Sequence, residues 1–154
     1  MSQARLRTLT LGCKVNQYET QFVREGLLQA GYQDAGEDDP AQLCVVNTCT
    51  VTAIASRKSR HFLRQLRRSN PGARIVATGC LAELEPETVE ALGVDLVVGN
   101  DDKDRIPGIL ASRGLLNETD HSPKGDELPS WPTGRTRAFL KVQDGCDNRC
   151  SFCI

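Results

Sequence analysis

Polar and apolar residues alternate from Arg5 to Gly12 (Arg-Leu-Arg-Thr-Leu-Thr-Leu-Gly), a pattern that predicts a strand closed by a glycine turn. Phe22, Val23, Leu27 and Ala30 then recur at helical spacing within residues 17–30, and Gly31 marks the stop. Leu43 to Val46 is a short apolar run of the kind buried in a sheet, and Thr52 to Ser69 reads as a helix closed by Asn70-Pro71-Gly72. A strand over Arg74 to Thr78, a helix over Glu85 to Leu92 with Pro86 in its first turn, and a strand over Val94 to Val98 follow. Lys103 to Arg113 reads as a last helix interrupted by Pro107 and Gly108. Strands alternating with helices at this spacing predict βαβ units, and so a four-stranded, doubly wound parallel α/β domain over residues 1–114. Pro123, Gly125, Pro129, Pro132 and Gly134 lie among charged residues in the next stretch, which reads as a linker over 115–136. Ala138 to Val142 then reads as one new strand.

Composition narrows the class. The 154 residues are 39% hydrophobic and 25% charged, as in globular proteins, and a net charge of −1 gives the whole chain no electrostatic pull toward nucleic acid. The longest apolar run is the four residues Leu43–Val46, far short of a membrane span, and Met1 to Arg5 does not lead into a signal-peptide core. A cytoplasmic protein is the expectation. Seven cysteines without a secretory signal fit reduced thiols acting as core residues, metal ligands or nucleophiles better than a disulfide framework.

Cys13, Cys49 and Cys80 each follow a predicted strand, at separations of 36 and 31 residues. All strands of a parallel sheet end on one edge, and neighbours lie roughly 4.8 Å apart, so the three thiols are predicted to meet at the crevice where such sheets bind ligands. A single cysteine of this kind would be read as a small buried apolar residue; three at equivalent positions favour a metal cluster. Asn16 and Asn47 lie near the same turns and could hydrogen-bond its sulfurs. Cys44, inside an apolar run, is assigned to the core.

Cys146, Cys150 and Cys153 form a C-x-x-x-C-x-x-C run directly after the last predicted strand, with Phe152 between the final pair. Three such thiols can hold three irons of a four-iron cluster and leave the fourth open to a substrate. A zinc knuckle is the alternative, but no fourth cysteine or histidine follows. The run matches the radical S-adenosylmethionine signature. Together with Thr10-Leu-Gly-Cys-Lys-Val-Asn-Gln-Tyr-Glu, Asn47-Thr-Cys-Thr-Val-Thr and Thr78-Gly-Cys before it, the sequence resembles the methylthiotransferase family. The Gly-Cys-Lys-Val-Asn-Gln version is most similar to the branch acting on threonylcarbamoyladenosine beside the tRNA anticodon; sister branches act on isopentenyladenosine or on a ribosomal-protein aspartate.

The resemblance implies two four-iron clusters. Cys146, Cys150 and Cys153, with Phe152 beside them, would serve the cluster that binds S-adenosylmethionine and cleaves it to a deoxyadenosyl radical, which takes hydrogen from carbon 2 of the adenine. Cys13, Cys49 and Cys80 would hold the auxiliary cluster that carries the inserted sulfur, and a second S-adenosylmethionine would supply the methyl group. The implied partners are tRNA and an electron donor of flavodoxin or ferredoxin type. Residues 137–154 would begin the β/α barrel, which needs roughly 200 residues or more. Hence the 154 residues alone are expected to be inactive, with Cys146, Cys150 and Cys153 poorly ordered or unliganded. A non-catalytic iron–sulfur, zinc or RNA-binding module is the reading from another class.

Between Ile54 and Arg74 lie seven basic residues and no acid. Arg57, Arg60, Arg64, Arg67 and Arg68 fall within an arc of about 100° on the predicted helix, opposite Ala55, Phe62 and Leu66. Such a stripe suits phosphate, so these arginines are candidate tRNA contacts; a solvated helix face is the plain alternative. His61 and His121 read as surface residues, Asp34, Glu37, Asp38 and Asp39 as a solubilising loop, and Trp131 as a linker anchor.

Overall fold

A computed structural model describes residues 4–36, 39–114, 140–143 and 145–151. Its order is β1 (Arg5–Thr10), α1 (Lys14–Gln29), β2 (Gln33–Asp34), β3 (Leu43–Thr48), α2 (Ala53–Ser69), β4 (Arg74–Gly79), α3 (Cys80–Leu84), α4 (Pro86–Glu90) and β5 (Leu96–Val97). A 3-10 helix over Asn100–Arg105 then runs into α5 (Ile106–Ser112).

All the pairings are parallel and the strand order is β2-β1-β3-β4-β5, so the sheet has five strands where four are predicted. The added strand is β2, two exposed polar residues held only by the β1 edge, with no apolar alternation to announce it. In this order the chain leaves β1 toward β2 and then returns past it to β3, which places the topological switch point between β1 and β3.

The sheet carries a core on each face. Leu43 and Val45 of β3 join Val23 and Leu27 of α1 and Ile106 and Leu110 of α5 on one side. Cys44 and Val46 turn the other way, onto Leu63 and Leu66 of α2 and onto Leu81 and Val89 of α3 and α4. Every residue of β3 is buried, as a central parallel strand requires, and Cys44 takes the core position assigned to it.

Some boundaries differ from expectation for local reasons. The first helix starts at Lys14 because Cys13 stays extended at its N-cap, and it ends where Gly31 adopts φ +92. There Gly31 N–H bonds Leu28 O and Tyr32 N–H bonds Leu27 O, the paired closure that a left-handed glycine permits. Pro107 does not interrupt the last helix but occupies its first turn, where no N–H is needed. The short helix α3 carries no sequence period that predicts it. Leu140–Gln143 is not in a strand, contrary to the reading of Ala138–Val142, whose residues 138 and 139 lie outside the described set along with the 115–136 linker, His121 and Trp131. Asp34 and Asp39 do more than solubilise a loop: they pair with Arg24 and Arg5.

Candidate iron–sulfur site at the sheet edge

Cys13 caps α1 just past β1, Cys49 directly follows β3, and Cys80 opens α3 directly after β4. The register pairs Thr10 with Asn47 and Thr48 with Gly79, so the three strands end level and the cysteines leave from one edge, two of them flanking the switch point. Cys49 is buried, Cys80 half-buried and Cys13 exposed, a gradient from sheet to solvent.

Two Gly-Cys steps make this approach possible. Gly12 has φ +93, and a Cβ there would lie 2.6 Å from Cys49 Sγ, so the backbone before Cys13 presses directly on the Cys49 sulfur. Gly79 has φ +92, and a Cβ there would lie 2.3 Å from both Asn47 Oδ1 and Thr48 O. Side chains at either position would drive the strand ends apart. Cys49 lacks a preceding glycine and is held by Ser59 instead. Its N–H donates to Ser59 Oγ at 3.0 Å, and Ser59 O–H donates back to Cys49 O at 2.7 Å. Thr48 O–H bonds Thr78 O at 2.6 Å and its oxygen accepts from Ala82 N–H at 3.2 Å, tying β3, β4 and α3 together.

Asn16 and Asn47 serve this edge differently from expectation. Both amide hydrogens of Asn16 go to main-chain carbonyls, Leu11 O at 2.8 Å and Thr48 O at 3.1 Å. Those of Asn47 go to Asn16 O at 3.1 Å and to Glu19 at 3.4 Å. Their donors brace the loops rather than reach for sulfur. Asn47 Oδ1 and Thr78 Oγ1 are buried here and find no hydrogen-bond partner among the described residues.

Burial holds the Cys80 thiol above its ordinary range; the Cys49 and Cys13 thiols push the same way, and the Lys103 ammonium opposes them. Among the described residues no three His, Cys, Asp or Glu side chains form a ready single-ion site. Among the described residues, the side chains that follow the three strands at this edge are thiols, the ligand type of iron–sulfur clusters. The residues fit such a group.

Lys103 belongs to a constellation that sequence reading missed. Glu19, one turn past Asn16 on α1, is 1% exposed. Its Oε2 accepts from Lys103 Nζ at 2.6 Å and its Oε1 from Lys141 Nζ at 3.0 Å. The partners lie 84 and 122 residues away, so no local spacing reveals them.

Of the second cysteine set, Cys146 and Cys150 are exposed, while Phe152 and Cys153 lie outside the described residues. Gly145 and Arg149 both have positive φ, +73 and +49, so the stretch turns sharply on either side of Cys146 to Asn148. The sheet-edge site is built without it.

The arginine stripe is narrower than predicted. The inward face of α2 is Ser59, Leu63 and Leu66, which leaves Arg60 and Arg67 on the flank, half-buried and bonded within the domain. Arg60 bonds both carboxylate oxygens of Glu85, at 2.8 and 2.7 Å. Arg67 bonds Gly93 O at 2.8 Å, Ala73 O at 2.9 Å and Asp95 at 2.5 Å. Arg57, Arg64 and Arg68 remain exposed, joined by Lys58 and His61.

No helix among the described residues is long and apolar enough to cross a membrane. The profile of Uncharacterized protein family UPF0004 matches residues 5–99, the whole of the sheet. Among curated proteins, the threonylcarbamoyladenosine tRNA methylthiotransferase MtaB of Bacillus subtilis is 40% identical over 94% of this chain, and that of Chlamydia pneumoniae 43% identical over 96%. The tRNA-2-methylthio-N(6)-dimethylallyladenosine synthase of Chlorobium phaeobacteroides is 32% identical over 94%. In each case the chain spans about a third of the relative's own length (34%, 34% and 35%). With the profile spanning the sheet, the chain belongs to the UPF0004 family, and over nearly all its length it is similar to the N-terminal third or so of proteins named as tRNA methylthiotransferases.

Proposed function

We propose that this chain is the N-terminal part of a tRNA methylthiotransferase that inserts a methylthio group at carbon 2 of threonylcarbamoyladenosine. The observation that carries the reading is the convergence of Cys13, Cys49 and Cys80 at the switch point of a parallel sheet, in a chain up to 43% identical to enzymes named for that reaction. Cys13, Cys49 and Cys80 would hold one four-iron cluster, and Cys146, Cys150 and Cys153, with Phe152 beside them, a second. When bound, these clusters and S-adenosylmethionine supply the electron-transfer and sulfur-delivery chemistry.

The chain's own residues supply position. Ser59 fixes the Cys49 backbone on both sides, and Gly12 and Gly79 let the neighbouring loops close on it. Asn16 and Thr48 lock the ends of β1, β3 and β4, so the thiols are placed before any metal arrives. Arg57, Arg64 and Arg68 would meet tRNA phosphates, and a flavodoxin- or ferredoxin-type protein would supply electrons. A cytoplasmic location follows from that substrate.

The test is to express the full-length protein in a bacterial strain lacking both its threonylcarbamoyladenosine and its isopentenyladenosine methylthiotransferases and to quantify modified nucleosides in digested tRNA. Return of 2-methylthio-threonylcarbamoyladenosine is the expected result. Return of only the 2-methylthio-isopentenyl derivative would move the substrate to the sister branch, and no methylthio product in the presence of loaded clusters would refute the reading.

A further inference from the structure

The stretch before Cys146 is attached to the sheet domain in an unusual way. Leu140 and Val142 are 75% and 87% exposed, so apolar packing does not hold it there. Between them Lys141 turns inward, its side chain 17% exposed, and ends on Glu19. An open cleft of about 340 Å³, lined by Tyr18, Phe22, Asp104, Lys141, Val142 and Gln143, separates the rest of the stretch from α1 and the 3-10 helix. Glu19 already has a full partner in Lys103, whose side chain is 8% exposed, so a second ammonium is not needed for neutrality. Lys141 has another purpose.

We infer that Glu19 is a positioning residue that pins the 140–143 segment to α1 and thereby sets where the Cys146 stretch begins relative to the Cys13, Cys49 and Cys80 edge. The carboxylate stands six residues after Cys13 and its partner Lys141 five residues before Cys146, so one buried ion triad links the chain near both cysteine sets. A buried carboxylate suits this task because its bonds are charge-assisted and directional, and separating them leaves a charge buried and underpaired. Each oxygen serves one lysine, so neither displaces the other. The geometry is independent of the proposed activity; only the value of a fixed spacing between two cluster sites rests on that reading, and the readouts below need no turnover.

The test is amine labelling with acetic anhydride and peptide-level hydrogen exchange, both on the full-length protein. In the wild type, Lys141 should label far more slowly than exposed Lys58. In Glu19→Gln, Lys141 labelling should rise by about tenfold, the scale of one lost charge-assisted hydrogen bond. Exchange over residues 140–151 should quicken in that variant while β3 and β4 stay protected. If Glu19→Gln loosens β3 and β4 as well, Lys141→Met decides, since it keeps the Glu19–Lys103 pair: faster exchange confined to 140–151 supports the inference, and unchanged exchange overturns it. Wild-type Lys141 labelling as fast as Lys58, or labelling released in Glu19→Gln without faster exchange in 140–151, overturns it too.

Discussion

Replacing Gly79 by alanine should damage the domain far more than one methyl group suggests. The residue sits at φ +92 and ψ −172, a region open essentially to glycine alone, and holding another residue there costs about 1–3 kcal/mol. The added Cβ would also lie 2.3 Å from Thr48 O and 2.7 Å from Thr48 N, main-chain atoms of the central strand that cannot swing away as a side chain can. Overpacking of that kind costs a further 1–3 kcal/mol or so. The two together give about 2–6 kcal/mol, and at about 4 °C or more per kcal/mol for a domain near this size the melting temperature should fall by at least ~8 °C. Gly72→Ala is the internal control: Gly72 has no positive φ, nothing lies within 4 Å of its would-be Cβ, and its effect should stay within about 0.5 kcal/mol. The assay is thermal and urea unfolding of both variants beside the wild type, followed by circular dichroism. A Gly79→Ala melting temperature within about 2 °C of wild type, or an equal loss in Gly72→Ala, would refute the argument from backbone geometry.

Three other outcomes can be checked. Arg67→Glu should lower stability by about 1–3 kcal/mol with little effect on tRNA affinity, because its guanidinium is committed to Gly93, Ala73 and Asp95; Arg57, Arg64 and Arg68 changed together to glutamate should leave the melting temperature nearly intact, weaken tRNA binding and flatten its dependence on salt in the full-length protein. Burial raises the folded-state pKa of Cys80, Cys44 and Tyr32 alike. Their stabilising contribution is therefore complete below the ordinary thiol and phenol values and is lost as pH climbs above them, so urea midpoints of the metal-free chain should hold at pH 7 to 8 and decline from about pH 9 upward, whereas a rising midpoint would reverse the sign. Changing Cys13, Cys49 and Cys80 together to alanine should remove about four irons per chain from the reconstituted full-length protein while the Cys146 set keeps its own, as read by iron analysis and absorbance; loss of all iron would tie the two sites together.

What the chain discloses without a structure depends on how far each signal reaches. The helix α2 is evident because its cues are local: Thr52 accepts from Ala55 N–H at one end, and Asn70-Pro71-Gly72 closes the other. The common edge of Cys13, Cys49 and Cys80 is inferable too, because parallel topology alone converts position after a strand into position in space. β2 escapes because two polar residues carry no period, and α3 because a five-residue helix starting on a cysteine has none either. The helical wheel separates the inner from the outer side of α2 but not its flanks, so it could not show that Arg60 and Arg67 are claimed by Glu85 and Asp95 from 25 and 28 residues away. Ser59 carries no sequence signal of its role, because its contact with Cys49 exists only once α2 packs on the sheet.

The parallel register has a consequence for how the molecule is made. Cys13, Cys49 and Cys80 are neighbours only once β1, β3 and β4 have paired, and every one of those pairings joins segments about thirty residues or more apart. Contacts of such range form late, after the chain closes large loops. Under the proposed function, iron would therefore join a scaffold already held by its Gly-Cys turns, Ser59, Asn16 and Thr48 rather than nucleate it as zinc nucleates a small finger. Synthesis runs in the same direction, since every residue of the sheet leaves the ribosome before Cys146 does. The sheet edge that carries the three cysteines can be complete while the residues after it are still being translated.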